Sequence, residues 1–169
     1  MIPKTDILAA EFYDRYIVLV KEEEIRKALR KNSEQLRKFL KKIPKKKLDY
    51  AYAEGKWTIK ELVQHMIDAE RVFAYRALSF SRKDHTSLPG FDENSWAANS
   101  GGATRKWEDL LEEFRSLRKT TEYLFDAFTE DQLKFAGQAN GVPMNALALG
   151  FIIPGHAAHH IAIMKERYL

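Results

Sequence analysis

From Thr58 the chain reads TIKELVQHMIDAERVFAYRALSFS, a pattern that leaves the backbone little choice. Thr58 and Glu61 form a T-x-x-E capping box, in which the threonine oxygen accepts an early backbone N–H and the glutamate reaches back to the cap. Trp57 just outside and Leu62 just inside are spaced for a hydrophobic staple. Leu62, Val63, Met66, Ala69, Val72, Phe73 and Ala77 then recur at the three- and four-residue spacing of one helix face. The spacing predicts a helix running to about Phe80 or Ser81, with one apolar side that other elements must cover.

Three further segments share this period. Asp6 to Ile43 is helical in pattern, with a stripe of Tyr13, Tyr16, Ile17 and Val20 followed by Ile25, Leu29, Leu36, Phe39 and Leu40. Asn32–Ser33 is its candidate break, and Pro44 ends it. Thr104 to Phe128 carries Trp107, Leu110, Leu111, Phe114, Leu117, Tyr123 and Leu124 at helical spacing. Thr129 to Gln132 is a second capping box, opening a short extra turn. The last helix is predicted from about Asn145 to Arg167, with Pro154 inside it. A proline there removes a backbone bond and crowds the preceding turn, so a kink or a break is expected. No segment alternates like a half-buried strand. The reading is an all-α four-helix bundle forming one domain over residues 1–169. Its loops are Ser81 to Ala103, with Pro89–Gly90 and the aromatics Phe91 and Trp96, and Gly137 to Pro143. The long first loop is expected to be ordered over something, with Trp96 and Tyr75 as loop or core anchors.

The chain has no cysteine, which removes disulfides, thiolate metal sites and a cysteine nucleophile. No apolar run approaches the ~20 residues of a membrane span, and the N-terminus lacks a signal-peptide pattern, so a cytoplasmic protein without membrane contact is expected. Net charge is +4, and the clearest basic cluster is Lys41 to Lys47. So short a patch, broken by Pro44, reads as a solvated helix end, and no nucleic-acid partner is expected.

Of five histidines, three fall within GHAAHH, Gly155 to His160. On a helix, His156 and His160 lie about 40° apart around the axis and about 6 Å along it, a spacing at which two imidazoles can share one metal ion. His159 points to the other edge of that face. A third ligand must come from elsewhere, and His65 and His85 are the candidates. His65 sits mid-helix between Leu62 and Ala69; His85 lies in a loop beside Asp84 and Thr86 and reads as solvated. The motifs H-E-x-x-H and E-x-x-H are absent. No general base declares itself: Glu61, Asp68 and Glu70 lie close to His65, but ion pairs with Lys60, Arg71 or Arg76 are the simpler reading. Asp92–Glu93–Asn94 either lines a pocket mouth or merely completes the turn after Pro89–Gly90.

Taken together, WTIKELVQHMIDAERVFAYR (Trp57 to Arg76), LPGFDEN (Leu88 to Asn94) and GHAAHHIAIMKERYL resemble the DinB-like superfamily of the YfiT type, over most of the chain from about Asn32 onward. The resemblance implies an up-down-down-up four-helix bundle, usually a homodimer. It implies a divalent metal, often nickel or zinc, held by one histidine of the second helix and two of the last, which here match His65, His156 and His160. His159 matches no such position. Members are commonly labelled metal-dependent hydrolases, and some relatives transfer low-molecular-weight thiols to small electrophiles. The expectation is a metal-dependent enzyme for a small-molecule substrate, a hydrolase or thiol S-transferase, with an open coordination position. The alternative is a non-catalytic bundle that binds a small ligand or serves a stress response.

Overall fold

Both capping boxes form in the computed structural model, which describes residues 2–169. The Thr58 hydroxyl accepts from the Glu61 N–H at 3.3 Å, and the Glu61 carboxylate accepts from the Thr58 N–H at 2.7 Å. They open a helix at Ile59–Ser81, called α3 in chain order. Before it come a single turn, α1 (Asp14–Ile17), and α2 (Ile25–Leu40). After it come α4 (Glu93–Asn99), α5 (Trp107–Asp126), α6 (Glu130–Lys134) and α7 (Ala146–Arg167). The last helix is capped by Asn145, whose side chain accepts from the Ala148 N–H and donates to the Asp6 carbonyl.

The four long helices pack in the cyclic order α2, α5, α3, α7, so that α2 and α3, consecutive in sequence, stand diagonally. Contacts fix their directions. Tyr168 after α7 donates to the Trp57 carbonyl before α3, so these helices are antiparallel. Arg30 at the start of α2 pairs with Asp126 at the end of α5, so these too are antiparallel. Gln64 of α3 meets Arg105 just before α5 and Glu70 meets Arg118 further along it, so α3 and α5 are parallel. The result is the up-down-down-up bundle. Two apolar clusters fill it, one at the Ile25, Phe80 and Phe151 end and one at the Leu36, Met66 and Met164 end.

Between the clusters lies a buried polar layer. Arg118 of α5 donates to Glu70 of α3 through Nε and Nη2 at 2.8–3.0 Å, and to Asn32 of α2 through Nη1 at 2.7 Å. Thr121 adds a hydroxyl to Glu70 at 2.8 Å, and Ser33 donates to Glu122 at 2.6 Å. Asn32–Ser33 is thus no helix break; α2 runs through it, and both side chains serve the layer. The break falls instead over residues 18–24. It lets Tyr13, Tyr16 and Val20 lie on α7 while α2 packs along the same helix.

The structure corrects the sequence reading at four more places. Ala136–Ala139 (β1) and Val142–Asn145 (β2) form an antiparallel hairpin, not a loop. Its turn is Asn140–Gly141, both at positive φ, +54° and +74°. That dipeptide is a strong hairpin signal, but the flanking strands have only four residues each and hold Gly137 and Pro143, which hide the alternation. Leu88 joins the edge, pairing with Ala139 and so ordering the loop after α3. Second, α7 does not break at Pro154. The turn before it contains Gly150, where a Cβ would come within 2.9 Å of Ile25, so α7 is gripped closely by α2 across the weak point. This packing outweighs the roughly 3 kcal/mol that a proline costs a helix interior. Third, Tyr75 and Trp96 are not core anchors but are 58 % and 45 % exposed, and Tyr123, counted on the apolar face of α5, is 62 % exposed. Fourth, by length and composition α7 is apolar enough to cross a bilayer, yet 72 % of its most apolar stretch is buried inside the bundle, as in a core helix. The basic run around Pro44 is a solvated turn, with Lys45 3.9 Å from Glu108.

Replacing Arg118 by Ala strands a buried carboxylate, since both partners are at most 4 % exposed. The expected loss is about 3–5 kcal/mol of unfolding free energy, measured by urea denaturation. A loss below about 1 kcal/mol would show that the layer does not hold the helices together.

Candidate metal centre

His65 lies in the second turn of α3, and His156 and His160 lie one turn apart on the antiparallel face of α7. The three rings converge. His156 Nε2 stands 3.3 Å from His65 Nε2 and 3.0 Å from His160 Nε2, and one nitrogen from each of the three rings lies within 4.8 Å of the others. All three side chains are buried, at 5–7 % exposure.

This arrangement is poor as a hydrogen-bonded core cluster. A neutral imidazole has one N–H and one lone pair. Three Nε2 atoms pointing at a common centre cannot all be satisfied by one another, because each shared proton serves a single pair. A cation satisfies all three lone pairs at once. The spacing agrees: two imidazole nitrogens about 2.0–2.1 Å from one ion stand about 2.8–3.4 Å apart for bond angles between 90° and tetrahedral. The donor set therefore fits one divalent ion. His160 Nδ1 is buried without a partner, so neither carboxylate nor carbonyl orients that ring. Its aim comes from packing against His65 and His159, each with its centroid 5.1 Å away.

Burial also keeps the rings neutral, as metal ligation requires. Desolvation lowers the His65 pKa from 6.5 to about 4. It drives His156 and His160 well below the usual range, helped by the neighbouring imidazoles and, for His156, by Arg118.

An aromatic wall encloses the cluster. The Trp57 ring lies 4.8 Å from His65, and Tyr16 and Phe73 stand edge-on to His156 at 5.2 and 5.7 Å. Tyr16 reaches this position because Gly155 has no side chain: a Cβ there would lie 2.2 Å from the Tyr16 carbonyl oxygen. The glycine that opens GHAAHH is thus the crossing point that brings α1 onto the histidine-bearing helix α7. His159 stays outside the cluster, its ring against Tyr16 at 5.3 Å, and its pKa is lowered by burial and by Arg15. His85 is exposed in its loop beside Phe135 and does not join.

The neighbouring carboxylates are all committed elsewhere. Glu61 caps α3, Glu70 binds Arg118 and Thr121, and Asp68 accepts from Gln64 at 2.9 Å. Of Asp92–Glu93–Asn94, Asp92 caps α4 by accepting from the Ser95 N–H. Glu93 lines a pocket of about 90 Å³ that reaches His156 between Phe12, Tyr16, Phe73, Arg76 and Asn140. Tyr16, Arg76 and Asn140 were not among the sequence candidates. Arg76 had a usable signal, since eleven residues after His65 brings a helix back to within about 20° of the same face.

The profile of the DinB superfamily matches residues 28–164. A protein of Oceanobacillus iheyensis, whose name marks it provisionally as a metal-dependent hydrolase, is 27 % identical over 121 residues, covering 70 % of this chain and 68 % of that protein. Among solved structures, YfiT from Bacillus subtilis, described as a probable metal-dependent hydrolase with an unusual four-helix bundle topology, matches with a TM-score of 0.70. The match is 20 % identical and covers 94 % of this chain and 87 % of YfiT; it carries the fold alone. The family profile, by contrast, runs from α2 to near the end of α7 and takes in all three converging histidines. The chain belongs to the DinB superfamily.

Proposed function

We propose that this chain is a metal-dependent enzyme acting on small molecules, with one divalent ion, nickel or zinc, held by His65, His156 and His160. The observation that carries the reading is the convergence of three buried imidazole nitrogens from two helices on one centre. Three protein ligands are the number found in catalytic sites, where a position stays free for water or substrate. A small pocket of about 90 Å³ borders His156, the middle one of the three. When bound, the ion supplies Lewis acidity, which makes a water or a thiol a better nucleophile near neutral pH.

The remaining roles belong to the chain. Tyr16, Trp57 and Phe73 exclude bulk water from the imidazoles and hold them neutral. Glu93 is the carboxylate on the pocket wall and, on this reading, the group placed to move a proton. The relatives' names favour hydrolysis. Because the chain has no cysteine, thiol transfer would require the thiol to arrive as a second substrate.

Elemental analysis of the purified protein is expected to find about one divalent ion per chain. His65→Ala, His156→Ala and His160→Ala should each lose it, whereas His85→Ala should keep it. Unchanged metal content in all three ligand variants would refute the assignment. A non-catalytic bundle instead predicts no stoichiometric metal and no response of the melting temperature to chelator.

A second expectation concerns the metal-free protein. Folded, His65 resists protonation down to about pH 4; unfolded, the ring takes up its proton near 6.5. Between those values the unfolded state binds more protons, so stability falls as the pH is lowered through that window. Above about 6.5 the contribution is complete and flat. Each ring kept neutral contributes a slope of roughly 1.4 kcal/mol per pH unit. Urea unfolding in chelator between about pH 6.5 and about pH 4.5 should show this slope, shallower by about that amount in His65→Leu. An identical slope in the variant would mean that burial does not hold His65 neutral.

A further inference from the structure

Arg76 is a buried cation for which the fold provides no counter-charge. Its side chain belongs to a residue only 2 % exposed. Nη2 donates to the Pro89 carbonyl at 2.8 Å, and Nε is buried with no partner. Among the described residues no carboxylate comes within ion-pair distance of it, although Glu93 lines the same pocket. The contrast with Arg118 is direct: that guanidinium, about as buried, is paired with the Glu70 carboxylate and has a partner on each of its three nitrogens. A guanidinium offers five N–H donors and stays charged, so Arg76 retains both charge and unused donors in a place where water hardly reaches.

Arg76 borders the pocket of about 90 Å³ that reaches His156, and also an apolar groove of about 400 Å³ formed with Val72, Tyr75, Leu88 and Trp96. The segment Gly90–Phe91 borders both spaces as well. The backbone of that segment is fixed by the pairing of Leu88 with the hairpin, which also presents the Pro89 carbonyl to Arg76. The cation is therefore held at the junction of a small polar pocket and a larger apolar groove.

We propose that Arg76 binds the carboxylate of a small anionic substrate whose apolar body occupies the groove of Val72, Tyr75, Leu88 and Trp96. A planar carboxylate matches two N–H groups on one edge of a guanidinium, and that pairing supplies the counter-charge the protein omits. The substrate's reacting group then faces His156, a part that rests on the metal-centre reading above. The anion subsite itself does not.

The test uses benzoate as probe, benzamide as its uncharged match and inorganic phosphate as the other oxyanion. Binding is measured by calorimetry on the full chain, in both chelator-treated and zinc-loaded forms. Benzoate should bind both forms, at least about tenfold more tightly than benzamide or phosphate. Arg76→Met should weaken benzoate by about tenfold or more without lowering the melting temperature, because it removes an unpaired charge. Arg76→Lys should restore part of the affinity. Equal benzoate affinity in wild type and Arg76→Met overturns the proposal, as does phosphate binding in preference to benzoate. An Arg76→Met chain that fails to fold overturns it too, since the cation would then be supporting the structure. Benzoate binding seen only with zinc and surviving Arg76→Met would assign the carboxylate to the ion, sinking the role of Arg76 while sparing the metal centre. Arg76-dependent binding in a chain that takes up no metal would do the reverse.

Discussion

The Arg118 guanidinium reaches across the bundle axis to Glu70 on one helix and Asn32 on another, and much else follows from that reach. Two apolar clusters could slide against each other with little penalty, since apolar packing has no direction. Directed bonds at mid-height do not allow it. Glu70 is met by Arg118 and Thr121 together, so α3 and α5 are locked in one register, and Asn32 ties α2 to the same point. An axial slip of one turn would leave a carboxylate and a guanidinium buried apart. The layer also has an electrostatic effect beyond its own bonds. The positive charge of Arg118 helps to keep His156 from taking up a proton. The device that fixes helix register thus contributes to the state in which the histidine can ligate a metal.

The second constraint is closeness of backbones along α7. Gly150 admits Ile25 of α2, and Gly155 admits the Tyr16 segment. Both are helix-interior glycines, each costing up to about 1 kcal/mol relative to alanine. Each is offset by burial of large side chains, Ile25 on one side and Tyr16 on the other. Between them stands Pro154, a third weak residue in one helix, tolerated for the same reason. A helix so poor in intrinsic preference holds its shape because it is covered almost all round. That coverage also brings a tyrosine edge against the central imidazole.

How far the sequence speaks for the structure depends on which force decided each feature. The capping boxes at Thr58 and Thr129 were legible because they are local, and each formed as the pattern implied. The pairing of His156 with His160 followed from helix pitch alone. His65 as the third member did not: from the residues, His85 remained open, and only the family resemblance singled His65 out. The features that were missed depend on contacts between distant parts. Asn32–Ser33 looked like a break because polar residues in an apolar stripe have two explanations, and the deciding partners lie 86 and 89 positions away. The Asn140–Gly141 turn was visible but had too little strand around it to be read. Arg76 was read as an ion-pair partner for nearby acids. Its true condition, a buried charge with no acid in ion-pair reach among the described residues, is a property of three-dimensional packing.

That condition bears on how the bundle divides its interior. Of the buried side-chain nitrogens and oxygens among the described residues, two lack a partner, Arg76 Nε and His160 Nδ1. Both belong to residues at the metal cluster or its pocket. Elsewhere the same chain satisfies demanding groups fully, including an arginine, a glutamate and an asparagine in one network. A sequence able to do that at mid-bundle does not leave a second buried arginine incomplete for want of acidic residues, with Glu93 already on the pocket wall. Unsatisfied buried groups are costly, so they persist where something outside the chain completes them. Three lone pairs directed at one centre call for a cation, and an unpaired guanidinium nearby calls for an anion. On the reading proposed above, the two demands are opposite in sign and border one small pocket, as a charged guest beside a metal ion would require.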